Sequence, residues 1–186
     1  RDRIALLLQL DAGLRLGEAA GRKWGDVQYA DGLLLVEQTK PRGRKLEDTP
    51  KGGIKREVEL SNRLSRELKA FWIAEGEPAD DALILAGHSH ENFRNRHFAW
   101  ASKIAGLGHR QPKDLRDTFA CVLLESAIPL GYISQQLGHS NPQTTADHYA
   151  QWTKKRYVAP PNLEAGMVPA DLLESLAPSA DPATLG

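Results

Sequence analysis

The sequence predicts an α+β fold, mainly α, with a small antiparallel β-sheet. Three observations predict it. Most segments carry apolar residues at helical spacing, bounded by residues that start or stop helices. Residues 27–38 read instead as a β-hairpin around Asp31-Gly32, a dipeptide suited to a tight turn. A third stretch alternates, with Arg56, Val58 and Leu60 on one face and Lys55, Glu57 and Glu59 on the other.

In chain order, Ile4, Leu7 and Leu8 give the first helix its apolar stripe, and Gly13 is a plausible stop. The chain begins without methionine and already inside this pattern, so its N-terminus reads as cut from a longer protein. Leu16 to Trp24 reads as a second helix, interrupted by Gly17 and Gly21. After the hairpin, a loop over 40–53 rich in Pro, Gly and charge leads to the alternating strand. Ser61 can cap a helix over 62–75 whose apolar face carries Leu64, Leu68 and Phe71. Past Pro78 the pattern loosens, then a helix near 91–105 carries Phe93, His97, Phe98 and Trp100, and Gly106 and Gly108 break it. Leu115, Phe119, Val122 and Leu123 predict the buried face of a helix from about 114 to 126. Pro129 opens a short helix that Gly138 ends, and Asn141-Pro142 starts the next.

At 186 residues one domain is the default. Apolar runs such as 4–8 and 33–36 are far too short to span a bilayer. No signal peptide is visible, and a single cysteine, Cys121, excludes an internal disulfide framework. A cytoplasmic protein with no membrane partner is expected. The formal net charge is zero, but residues 158–186 hold four acids and no Lys or Arg, leaving 24 basic against 24 − 4 = 20 acidic side chains in the rest. Basic residues concentrate between Lys40 and Arg66, a strip suited to a phosphate backbone or to a solvated loop.

The chemistry concentrates further along. Lys113-Asp114-Leu115-Arg116-Asp117-Thr118 is followed by Leu137-Gly138-His139-Ser140 and by His148-Tyr149. A phenol can attack phosphorus, a guanidinium can hold two phosphate oxygens, and an imidazole can hold a third or move a proton. Upstream stands Ala12-Gly13-Leu14-Arg15-Leu16-Gly17-Glu18, with Trp24 and Asp26 following, and Lys51-Gly52-Gly53 with Arg56, Val58 and Leu60. Together, in this order, these segments resemble the two arginine boxes and the β-strand lysine segment of the tyrosine recombinases (the phage integrase family).

The resemblance implies a catalytic domain over 1–157, followed by a tail over 158–186 with one short amphipathic segment near Leu172, Leu173 and Leu176. It implies that Tyr149 attacks a phosphate of double-stranded DNA to form a 3′-phosphotyrosyl link. Arg15 and Arg116 would grip the non-bridging oxygens, Lys51 would protonate the leaving 5′-oxygen, and His139 would donate to the phosphate. Lys113 stands where the second box usually opens with histidine, and Asp117 where another histidine is frequent. The covalent link conserves the phosphoryl bond, so no cofactor and no metal is expected. The resemblance also implies a DNA-clamping N-terminal domain absent from this chain and a homotetramer on DNA, with a monomer as the alternative for the isolated fragment.

Several readings stay open at this level. Lysine is a poor base near neutral pH, which puts the acceptor of the tyrosyl proton in doubt, and His148 is one substitute. Clustered cations predict a Tyr149 pKa below its ordinary value of about 10. Glu18 reads as a buried support for the site and not as a catalytic acid. His88, His90 and His97 fit no metal-ligand spacing and read as a surface cluster. Arg22 occupies a position that is usually apolar in the family. A type IB topoisomerase-like relaxing enzyme, or a DNA-binding module that has lost its chemistry, are the alternative functions.

Overall fold

In a computed structural model of the chain, residues 1–47 and 55–153 are described. Among them, eight α-helical segments and three strands follow one another. They are α1 (Asp2–Leu10), α2 (Leu16–Ala20), β1 (Val27–Gln28), β2 (Leu33–Val36), β3 (Arg56–Glu59) and α3 (Asn62–Ala74), then α4 (His90–Asn92), α5 (Ala99–Ile104), α6 (Lys113–Glu125), α7 (Leu130–Leu137) and α8 (Pro142–Thr153). The expected tail, with Leu172, lies outside the described residues, as does Lys51. No helix among the described residues is long and apolar enough to cross a membrane.

The α+β, mainly helical architecture agrees with the sequence, and its local causes are visible. The sheet order is β1-β2-β3, all antiparallel, with Val27 opposite Leu34 and Leu34 opposite Val58. Gly32 takes φ +68° at the hairpin turn, a conformation open to glycine at no steric cost. On β3 the alternation holds, and Arg56 and Val58 face inward while Glu57 and Glu59 are exposed. The Ser61 hydroxyl accepts from Leu64 N–H at 3.0 Å, the expected cap of α3. Asn141 does the same for Gln143 N–H at 2.9 Å ahead of α8.

Two regions depart from expectation. The helix read near 91–105 is interrupted by a π-helical turn over Phe93–Phe98. Phe93 and Phe98 are five apart, and the wider turn lets both rings enter the core with centroids 5.9 Å apart. On α6, Val122 is 54% exposed instead of buried. Burial on that helix centres on Arg116 and Ala120, about 100° round from the Leu115–Val122 line. The apolar pattern therefore marks the flank of the buried face, and an arginine occupies its centre.

The main core gathers α1, the sheet and α3 around Leu8, Leu34, Val58, Leu64 and Leu68. A second apolar cluster joins α6, α7 and α8 through Ala120, Ile133, Leu137 and Tyr149. Tyr149, one of the candidate site residues, belongs to the second cluster.

Candidate active site

Glu18 is the centre of the arrangement. It sits in the first turn of α2, is 1% exposed, and its carboxylate accepts hydrogen bonds from two arginines and pairs with a third. Arg15 reaches it with both its backbone N–H and its guanidinium, at 2.9 Å each. Arg56 of β3 makes two contacts at 2.9 and 3.3 Å. Arg116 of α6 lies at 3.7 Å. Burial works to raise the Glu18 pKa, but the hydrogen bonds and charges of Arg56 and Arg116 outweigh it and hold it at about 2. The carboxylate therefore stays ionised and offsets part of the charge of three guanidinium groups. Positive charge remains in surplus, as an anion site requires.

Arg116 is held as firmly. One Nη donates to Gly13 O at 2.6 Å and the other to Leu137 O at 2.5 Å, anchoring it to the loop before α2 and to the end of α7. Burial first, and then the charge of Arg15, lower its pKa from the ordinary arginine range. Gly13 has φ +62°, and a Cβ there would lie 2.5 Å from the Phe119 ring. Glycine is thus needed for the carbonyl to face Arg116. Gly138, with φ +66°, closes α7, and a Cβ there would lie 2.8 Å from Arg56 Nη1. Arg56 also donates through Nε to Gln136 O at 2.8 Å, which ties β3 to α7.

His139 follows Gly138 directly. Its Nε2 lies 3.2 Å from Arg116 Nη2 and its Nδ1 lies 2.7 Å from Thr145 Oγ1. Arginine can only donate, so Nε2 accepts and the ring proton belongs on Nδ1, donating to Thr145. Burial, then Arg116 and Arg15, depress the pKa of His139 to about 4, which keeps it neutral at physiological pH. Thr145 is fully buried and can donate or accept as the imidazole changes tautomer.

Tyr149 is 2% exposed, packed within the second apolar cluster. Its hydroxyl donates to Asp117 Oδ1 at 3.0 Å. The neighbouring His148 brings Nε2 to 3.4 Å from the same oxygen, its ring standing edge-on to the Tyr149 ring with centroids 4.8 Å apart. The expectation of a lowered tyrosine pKa is overturned. Burial raises it, and the charge and hydrogen bond of Asp117 raise it further, against a smaller opposing effect from Arg116. The cations are there, but a carboxylate is hydrogen-bonded to the phenol and its effect outweighs theirs.

Arg15, Lys113, Arg116, His139, His148 and Tyr149 line one cleft of about 470 Å³. Lys113, the first residue of α6, is exposed there. Asp117 lines the same cleft, and Arg56 and Thr145 support it through Glu18 and His139; sequence reasoning assigns none of the three a role in the site. Arg56 had a signal in the inward phase of its strand, but its partners Glu18 and Gln136 are 38 and 80 positions away. Members of the basic strip are held in ion pairs, with Arg42–Glu91 at 3.0 Å and Lys55–Glu37 at 3.6 Å. Arg22 is fully buried, donating to the carbonyls of Glu18, Leu35 and Gln38 and pairing with Asp26 at 3.0 Å. The histidines read as a surface cluster include a buried member, because the His88 side chain is 3% exposed and bonded to Asp2 at 3.1 Å.

The phage integrase family model matches residues 1–156. The chain belongs to the phage integrase family. Among relatives, it is 34% identical over 152 residues to the tyrosine recombinase XerC of Yersinia pestis, covering 78% of this chain and 46% of that protein. It is 30% identical over 150 residues to the tyrosine recombinase XerA of Thermococcus kodakarensis, covering 78% and 49%. The chain thus spans about half the length of these relatives. The same fold occurs in the Tn1549 transposon integrase solved with transposon right-end DNA, at TM-score 0.65 and 14% identity, over 82% of this chain and 57% of that one. It also occurs in the catalytic domain of bacteriophage HP1 integrase, at TM-score 0.56 and 20% identity, over 97% and 84%. This integrase-family chain therefore carries the fold of a known catalytic domain.

Proposed function

We propose that this chain is the catalytic domain of a site-specific DNA recombinase that cleaves and rejoins double-stranded DNA through a 3′-phosphotyrosyl intermediate. The observation that carries the reading is the convergence of Arg15, Arg116, His139 and Tyr149 on one cleft, with both arginines ion-paired to the buried Glu18, Arg15 at 2.9 Å and Arg116 at 3.7 Å. A phosphodiester in that cleft meets two guanidinium groups where charge develops as Tyr149 attacks. Fixing the arginines beforehand removes reorganisation from the reaction step. His139 adds a donor once the phosphate draws a proton to Nε2, with Thr145 accepting or donating at Nδ1 to match. Lys113 contributes an exposed cation at the cleft. Lys51 is the proposed acid for the leaving 5′-oxygen, an assignment that rests on the sequence segment around it. The partner is double-stranded DNA, with a homotetramer as the working assembly. The domain extends over 1–157, and 158–186 is a tail available for subunit contact.

The test is covalent capture. A pool of nicked suicide duplexes with randomised sequence is incubated with the chain, and DNA that survives denaturing as a protein adduct is recovered. Adducts formed by the parent and absent for Tyr149→Phe are expected. Adducts persisting in that variant would remove Tyr149 from the role. The raised pKa of Tyr149 favours one competing reading, a DNA-binding module without chemistry, and retention of duplex with no adduct would select it.

A further inference from the structure

A phenol that attacks phosphorus must lose its proton, and the expected histidine at the head of the second box is Lys113, a cation. His139 is engaged at both nitrogens, by Arg116 and by Thr145. The Tyr149 hydroxyl points instead at Asp117 Oδ1, 3.0 Å away, within direct proton-transfer distance. We infer that Asp117 is the proton acceptor for Tyr149, with His148 as the residue that positions it. The inference rests on the nucleophilic role proposed above for Tyr149.

The placement follows from helix geometry. Arg116 and Asp117 are consecutive on α6, so their side chains leave the helix about 100° apart. Arg116 turns towards Gly13, Leu137 and Glu18, while Asp117 turns towards α8. One turn of one helix thereby supplies the phosphate grip and the base on separate sides. His148 lies 3.4 Å from the same Oδ1, and its edge-on contact with the Tyr149 ring fixes the spacing of the three groups. Two adjacent residues of α8 thus converge on one carboxylate oxygen.

The step balances. As the Tyr149 oxygen bonds to phosphorus, its proton passes to Asp117 Oδ1, converting carboxylate to carboxylic acid. The bond from phosphorus to the 5′-oxygen breaks, and that oxygen takes a proton from the general acid. In rejoining, the 5′-hydroxyl attacks, returns its proton to the acid-base group opposite, and Asp117 reprotonates the departing phenolate. Burial of Tyr149 gives the arrangement its use, since a buried phenol stays protonated until a positioned base takes the proton in the transition state itself.

Asp117→Asn keeps the size and a hydrogen-bond acceptor while removing the base. With a duplex captured by the parent, cleavage by this variant is expected to slow roughly 100-fold or more, with duplex affinity changed by less than about threefold. Asp117→Ala is expected to recover activity in proportion to added formate, which a purely structural role would not allow. An Asp117→Asn variant cleaving at the parent rate or faster would overturn the inference, as would Asp117→Ala that formate leaves inert. Parent adduct formation checks the nucleophile separately. Should the parent form none, titration of Tyr149 carrying a ¹³Cζ label still decides the contact. Asp117→Asn must then lower the phenol pKa, and an unchanged titration would sink the assignment.

Discussion

The two halves of the cleft are built in opposite ways. Around Glu18, three arginines are locked to a buried carboxylate and to the backbone carbonyls of Gly13, Leu137 and Gln136. Around Tyr149, a buried phenol stays protonated against Asp117, and the exposed His148 completes the corner. The first half is assembled before any substrate arrives; the second is poised one proton short of reaction. The difference suits its chemistry, because charge stabilisation works best when fixed in advance and a nucleophile is safest when released late.

The sharpest way to break the comparison is Glu18→Gln. It leaves Arg56 and Arg116 buried without their counter-charge, and breaking a buried ion pair on one side costs about 3–5 kcal/mol. Urea unfolding at neutral pH should show a loss of that size. A loss under about 1 kcal/mol would mean that the backbone carbonyls alone hold the arginines.

Acid should find the same weak points. The folded-state pKa values of Glu18 and His139 are both depressed, to about 2 and about 4, from ordinary values of 4.5 and 6.5. The unfolded chain therefore binds protons first in both windows, so stability falls as pH falls. His139 acts between pH 6.5 and 4 and Glu18 between 4.5 and 2. Linkage gives about 3 kcal/mol for the buried Glu18, and less for His139, which is partly exposed to solvent. Denaturation midpoints at pH 7, 4 and 2 should trace both steps, and His139→Gln should remove only the upper one. A flat profile from pH 7 to 3 would contradict both shifts.

Gly138→Ala tests the joint between β3 and α7. The new methyl meets Arg56 in a left-handed backbone conformation, and a cost of about 1–3 kcal/mol is expected from strain alone. Thermal unfolding would read it, and a neutral outcome would show that Arg56 can move away without loss.

How much of this was legible depended on whether the cause was local. The Asp31-Gly32 turn, the Ser61 cap and the Gly138 stop are decided by residues within a few positions, and each was readable. The alternation on β3 showed that Arg56 faces inward, but its partners come from α2 and α7, so its purpose was not readable. The same limit hid Asp117. Its relation to Tyr149 spans 32 positions and depends on how α8 is rotated against α6. Arg22 breaks an apolar pattern because it satisfies the carbonyls of Leu35 and Gln38 at the end of the hairpin, an arrangement that only the folded sheet creates.

The smallest effect is the one that best separates the two halves. Tyr149→Phe keeps the apolar ring against Ala120, Ile133 and Leu137 and removes only the hydroxyl. The lost hydrogen bond is worth about 0.5–1.5 kcal/mol. Asp117 is not stranded by the change, since its side chain is 32% exposed and His148 stays at 3.4 Å. The net loss should therefore sit at the low end, near about 0.5 kcal/mol, while cleavage disappears. Denaturant titration of the variant beside Glu18→Gln makes the contrast quantitative. If Tyr149→Phe instead costs as much as Glu18→Gln, the hydroxyl is a structural keystone like the buried carboxylate. The corner would then be fixed as tightly as the arginine cradle, and late release of the nucleophile could not be what distinguishes it.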